Sequence, residues 1–185
     1  LIKKLKIDID EVQKAMEDVS REAFDYFLDT DTGEVIILSD DIMNRAQKIL
    51  YERFDEDMED YDEVEFDEET DVPDWMEEEI ELALEVFLLD KGRYVRIPER
   101  NSGNAYAAMQ EFTEALEDLT LRRELRDILN GRGAFRKFKD ALDPYPKERK
   151  MWYGYNAKKA KREIGEWLRS LGIEPERDKT VASDP

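Results

Sequence analysis

Arg132, Arg136 and Lys139 share one short stretch, GRGAFRKFKD at 131–140, inside a chain whose net charge is −19. At about 100° per residue, a helix beginning near Gly133 places these three cations on one side. It places Phe135, Phe138 and Leu142 on the adjacent side, facing a core. Glycine lets the backbone bend ahead of a helix, and the open N–H groups of a helix start attract anions. Arginine adds a planar fork of donors that matches phosphate or carboxylate. Arg132, Gly133, Arg136 and Lys139 therefore form a candidate anion site, with Arg96 of RYVRIPER as a further cation. A plainer reading is preferred. Gly131 ends one helix, Gly133 permits the turn, and the arginines pair with some of the chain's 48 acids.

The chain contains no histidine and no cysteine. That removes disulfides, thiolate or imidazole zinc sites, histidine-dependent triads and cysteine nucleophiles. Catalysis would have to run on carboxylates, Lys, Tyr, Ser or a hard metal held by oxygen. DTDTGE at 29–34 puts Asp29 and Asp31 at the first two ligand places of a calcium loop. Gly33 comes one residue early for such a loop, and the twelfth place holds Asp40 instead of glutamate. A hairpin turn, with Asp and Thr bonded locally, accounts for the same residues. No metal site and no cofactor is expected, and no catalytic pair stands out among so many carboxylates.

Charge is distributed in blocks. Residues 55–81 hold 17 Asp or Glu and no Lys or Arg, whereas residues 131–170 hold 12 Lys or Arg against five acids. The segment 55–74 reads as a mobile, solvated loop. It could instead fold onto the basic surface or recruit another protein, with Tyr61, Phe66 and Trp75 as anchors. MWYGYN at 151–156 and KKAKR at 158–162 combine aromatics with positive charge, which can stack bases and neutralise phosphates. Helix packing is the preferred use of those aromatics, and the overall negative charge opposes nucleic acid. A protein partner, through the acidic segment or the aromatic surface, ranks above nucleic acid.

The elements that must carry these groups are mostly helical. Ile9, Val12, Met16 and Val19 predict a helix over 8–20. EAFDYFLDTDTGEVIILSD predicts a strand–turn–strand, and Ser39-Asp40-Asp41 the start of a helix reaching Phe54. A buried helix follows Pro73, and RYVRIP gives a short strand over 93–97. One helix carries Ala105, Met109, Phe112, Leu116 and Leu119, capped by Ser102; the next carries Leu121, Leu125, Ile128 and Leu129. The last, in two pieces around Gly154, carries Ala160, Ile164, Trp167, Leu168 and Leu171, with a frayed tail from 174. The expected fold is α+β and helix-dominated, one domain over 1–173 with a small sheet built on the 23–38 hairpin. No run of about 18 apolar residues is present and LIKKL is no signal peptide, so a cytoplasmic location is the default expectation.

FDYFLDTDTGEVIIL, RYVRIPER, GRGAFRKFKD and WLRSLGIEP, in that order over roughly 8–173, resemble a bacterial family catalogued only as an uncharacterised protein family. The resemblance implies a shared fold and no site. The leading expectation is a non-enzymatic binding or regulatory protein acting through electrostatic contacts. The alternatives are an enzyme or ligand-binding domain holding a phosphate or carboxylate at Arg96, Arg132 and Arg136, and nucleic-acid binding or mimicry.

Overall fold

The computed structural model describes residues 2–53, 73–88 and 92–176, so the acidic segment, up to its last two residues, lies outside the described residues. In chain order the elements are β1 (Lys3–Leu5), α1 (Ile9–Glu17), β2 (Phe24–Asp29), β3 (Val35–Ser39), α2 (Asp40–Arg53), α3 (Asp74–Leu88), β4 (Tyr94–Arg96), α4 (Ser102–Ala115), α5 (Leu119–Leu129), α6 (Ala134–Leu142), α7 (Pro146–Ser170) and β5 (Ile173–Pro175). The fold is α+β with helices dominant. The described residues form two compact units. One comprises those of Leu1–Pro98 and those from Ile173 onward; the other is Glu99–Gly172.

In the first unit the expected hairpin and strand join one antiparallel sheet, ordered β3-β2-β4. Phe27 pairs with Ile36 on one side and Arg96 on the other. Leu38, Ile42, Ala46, Ile80, Leu84 and Tyr94 pack together between that sheet and helices α2 and α3. Asp8 caps α1 by accepting from the amides of Asp10 and Glu11. The helix stops at Glu17, so Val19 lies beyond it and is 95% exposed, not core. The sequence reading contains no counterpart to the parallel pair β1–β5, in which Lys3, Lys4 and Leu5 face Ile173, Glu174 and Pro175. The Glu176 amide extends it, donating to the Leu5 carbonyl at 2.8 Å.

The second unit is helical. Phe112, Leu121, Leu125, Phe138, Leu142 and Trp152 centre its core. Trp152 meets Phe138 edge-on at 5.0 Å and Phe112 at 5.3 Å between ring centroids, a favourable arrangement of aromatic quadrupoles. Asn101, not Ser102, caps α4, by accepting from the Asn104 amide. Asp118 caps α5 through the amides of Thr120 and Leu121, so Leu119 opens a new helix and is 68% exposed. Arg100 binds Glu163 at 3.2 and 3.3 Å and Asn156 at 2.5 Å, tying the approach to α4 onto α7.

Two further sequence expectations for the second unit are corrected. The buried row of α6 is Ala134, Phe138 and Leu142, four residues apart, which leaves Phe135 42% exposed beside the cations. Helix α7 runs unbroken through Gly154. Pro146 starts it where a missing N–H costs nothing. Glycine in a helix interior costs about 0.5–1 kcal/mol relative to alanine, too little to break 25 residues anchored by Trp152, Ala160, Ile164 and Leu168. Packing does not require that glycine. Beyond its own helix, no atom lies within 4 Å of the place a Cβ would occupy at Gly154.

Candidate functional site

Charge separates by unit. The 74 residues of Glu99–Gly172 carry 16 Lys or Arg against 12 Asp or Glu, a balance of +4, while the rest of the chain carries −23. Most of the excess lies on α6 and α7. Arg132, Lys137, Lys139, Lys147, Lys150 and Lys158 are exposed, and among the described residues none of the six enters an ion pair. Among the described residues this surface is short of counter-charges, so its local potential is positive.

Between α4 and α7 the helical unit carries an open groove of about 370 Å³. Phe112 and Ala115 come from α4 and Leu116 from its C-cap; Lys150, Met151, Gly154, Tyr155 and Lys158 come from α7. Positions 150, 154 and 158 recur every four residues, so they fall on one face of α7. The groove has an apolar floor and a cation at each end of its α7 wall. One flank is held rigidly: Glu111 accepts from the Tyr155 hydroxyl at 2.5 Å and from Lys159 at 2.6 Å. Lys159 and Tyr155 hold the Glu111 carboxyl below its usual range, and burial with the Glu111 bond raises the Tyr155 hydroxyl.

The residues of the expected anion site come from both units. Arg96 lies on β4 in the first unit, where it donates to Asp25 at 2.6 Å. Arg132, Gly133, Arg136 and Lys139 belong to the helical unit. Gly133 is the N-cap of α6 at φ 71°, and no side chain caps that helix start. Arg136 is 92% exposed, and among the described residues its one ion pair is with Asp140, at 3.9 Å. Arg96 pairs with Asp25, and Arg132 has no ion pair among the described residues. In MWYGYN, Trp152 is core and the Tyr155 ring packs against Phe112 and Trp152, which leaves Tyr153 as the exposed aromatic.

DTDTGE is an anchored turn. Asp29 is 3% exposed; it receives the guanidinium of Arg93 at 2.9 and 3.2 Å and the amides of Asp31 and Thr32. Arg93 also reaches Glu85, which accepts from the Tyr94 hydroxyl at 2.7 Å. Burial raises Tyr94 to about 12, aided by Glu85. Burial alone would raise Asp29 as well, but Arg93 and the two local donors outweigh it and hold the carboxyl below its ordinary value. A carboxylate depressed in the folded state stabilises above its unfolded pKa of about 3.9, and that contribution disappears as pH falls through the folded value. Asp29→Asn should accordingly melt well below wild type near pH ~6, with the gap narrowing near pH ~3. Parallel melting curves at the two pH values check this; a gap independent of pH would refute the ionic role.

Sequence reasoning missed the groove. The signal was present in Lys150, Gly154 and Lys158 at four-residue spacing, hidden because Gly154 was read as a break. The model of an uncharacterised protein family, UPF0158, matches residues 64–182, leaving the 23–38 hairpin outside the matched span. No curated protein and no solved structure matches the chain.

Proposed function

The chain belongs to the uncharacterised protein family UPF0158, and we propose that it is a binding protein, not an enzyme, whose helical unit holds an acidic protein partner through the basic side of α7. The observation that carries this reading is the set of exposed cations, Lys147, Lys150 and Lys158, without ion pairs among the described residues. In a chain of net charge −19, these cations pair with none of the acids among the described residues. The carboxyls with displaced pKa values favour the same reading. Asp18, Asp29, Glu111 and Glu114 are all displaced downward, the direction of an anchor and not of an acid–base catalyst working near neutral pH. An acidic polypeptide suits the surface better than nucleic acid does, because Trp152 and Tyr155 are committed to packing and Tyr153 alone of MWYGYN is left to stack a base.

A smaller anion has one observation in its favour, the uncapped start of α6 beside Arg132. A single experiment addresses both readings. Fluorescence anisotropy would follow a labelled peptide of alternating glutamate and serine binding to wild type, Lys150→Gln/Lys158→Gln and Arg132→Ala, with inorganic phosphate as competitor. The peptide should bind wild type, lose about tenfold in affinity between ~50 and ~300 mM salt, and lose about fivefold in the double variant. Equal binding by wild type and the double variant would reject the α7 surface. Displacement by millimolar phosphate that Arg132→Ala abolishes would move the site to α6.

A further inference from the structure

We propose that the groove between α4 and α7 is an anchor pocket, which takes one aromatic or branched aliphatic side chain from an acidic segment of a partner protein. The inference rests on the reading above and adds what the partner must carry besides charge. The groove's walls are apolar: Phe112 and Ala115 on α4 and Leu116 at its C-cap, Met151 and the Tyr155 ring on α7. Met151 is 51% exposed, and an unbranched thioether adapts readily to an incoming ring or branched chain. Gly154 sits mid-wall, and no neighbouring atom beyond the helix demands a glycine there. Its effect is to keep the wall low where an anchor would enter.

Lys150 and Lys158 decide the occupant. Eight residues of helix separate them by about 12 Å along α7. An extended segment covers that distance in roughly four residues. A partner with carboxylates some four positions apart and an apolar residue between them places each acid on a lysine and its anchor over Gly154. An oligonucleotide meets this geometry poorly. A base needs a free aromatic face, and the Tyr155 ring is already packed on Phe112 and bonded through its hydroxyl; a single side chain needs only the apolar wall that Ala115, Leu116 and Met151 complete.

The test compares two peptides of alternating glutamate and serine, one with a central phenylalanine and one with a central serine, together with a short oligo(dT). All are titrated by anisotropy against wild type, Gly154→Leu and Met151→Glu. Both variants should fold. Leucine replaces a mid-helix glycine with a good helix former, and position 151 is half exposed, so melting temperatures should equal or exceed that of wild type for Gly154→Leu. The phenylalanine peptide should bind wild type about tenfold more tightly than the serine peptide. That advantage should disappear in both variants, while binding of the serine peptide to Gly154→Leu stays unchanged. If the two peptides bind wild type equally, or Gly154→Leu retains the preference, the anchor pocket is wrong and the charge reading survives. If neither peptide binds, both fail. If oligo(dT) binds more tightly than either peptide and Gly154→Leu weakens it, the surface belongs to nucleic acid.

Discussion

Phe138→Ala should cost about 3–5 kcal/mol of stability, the range for deleting a fully buried phenylalanine from a close-packed core. Phe138 has no exposed surface, lies edge-on to Trp152 at 5.0 Å and to Phe112 at 6.4 Å, and carries the middle of the only buried row on α6. Its loss removes dispersion contacts on three helices at once and leaves a cavity between large rings that cannot all move inward. Phe135→Ala, three residues earlier in the same stretch, should cost under about 1 kcal/mol because that ring is 42% exposed. Urea denaturation followed by circular dichroism would measure both. Two similar losses would mean that α6 is turned about its axis relative to the buried row described here, and the exposure of Arg136 and Lys139 would have to be reconsidered with it.

The contrast between these two phenylalanines shows where sequence reasoning works and where it stops. Phe138 and Leu142 could be assigned to the core because four-residue spacing survives any small error in helix phase. Phe135 could not, since a 100° step places it at the boundary of the buried arc and only the placement of the neighbouring helices α5 and α7 decides. The hairpin was legible from β-branched and aromatic residues on both sides of Thr30-Asp31-Thr32-Gly33, and its order β3-β2-β4 was not, because pairing is a long-range choice. The pair β1–β5 has three residues per strand, too few to display alternation, and its partners lie at opposite ends of the described chain. Gly154 misled for a physical reason: a glycine's preference is weak, and the apolar residues on either side of it outweigh it. The candidate site followed the same pattern. Its cations were visible as a block, while the groove needed two sets of residues that the sequence lists 34 or more positions apart.

Gly33→Ala should be the most damaging small substitution in the first unit, costing about 2–4 kcal/mol. Two effects combine. Gly33 has φ 84°, in the left-handed region where an L residue loses roughly 1–2 kcal/mol. A Cβ there would also lie 2.4 Å from the Lys6 carbonyl oxygen, a backbone atom that cannot rotate away as a side-chain tip would. The turn has no slack to offer. The Gly33 amide donates to the Asp29 carbonyl at 2.8 Å, and the Asp29 side chain is fixed by Arg93 and by the amides of Asp31 and Thr32. Gly92 separates the two causes, since it has φ 86° and nothing among the described residues within 4 Å of a Cβ. Gly92→Ala should therefore show the conformational cost alone, about 1 kcal/mol. Urea midpoints for both variants give the difference directly. A loss at Gly33 clearly larger than at Gly92 assigns the excess to the approach of the segment after β1 onto the hairpin turn. Equal losses would mean that the backbone at Lys6 yields, and that the turn is held by Asp29 and Arg93 without help from the residues that follow β1.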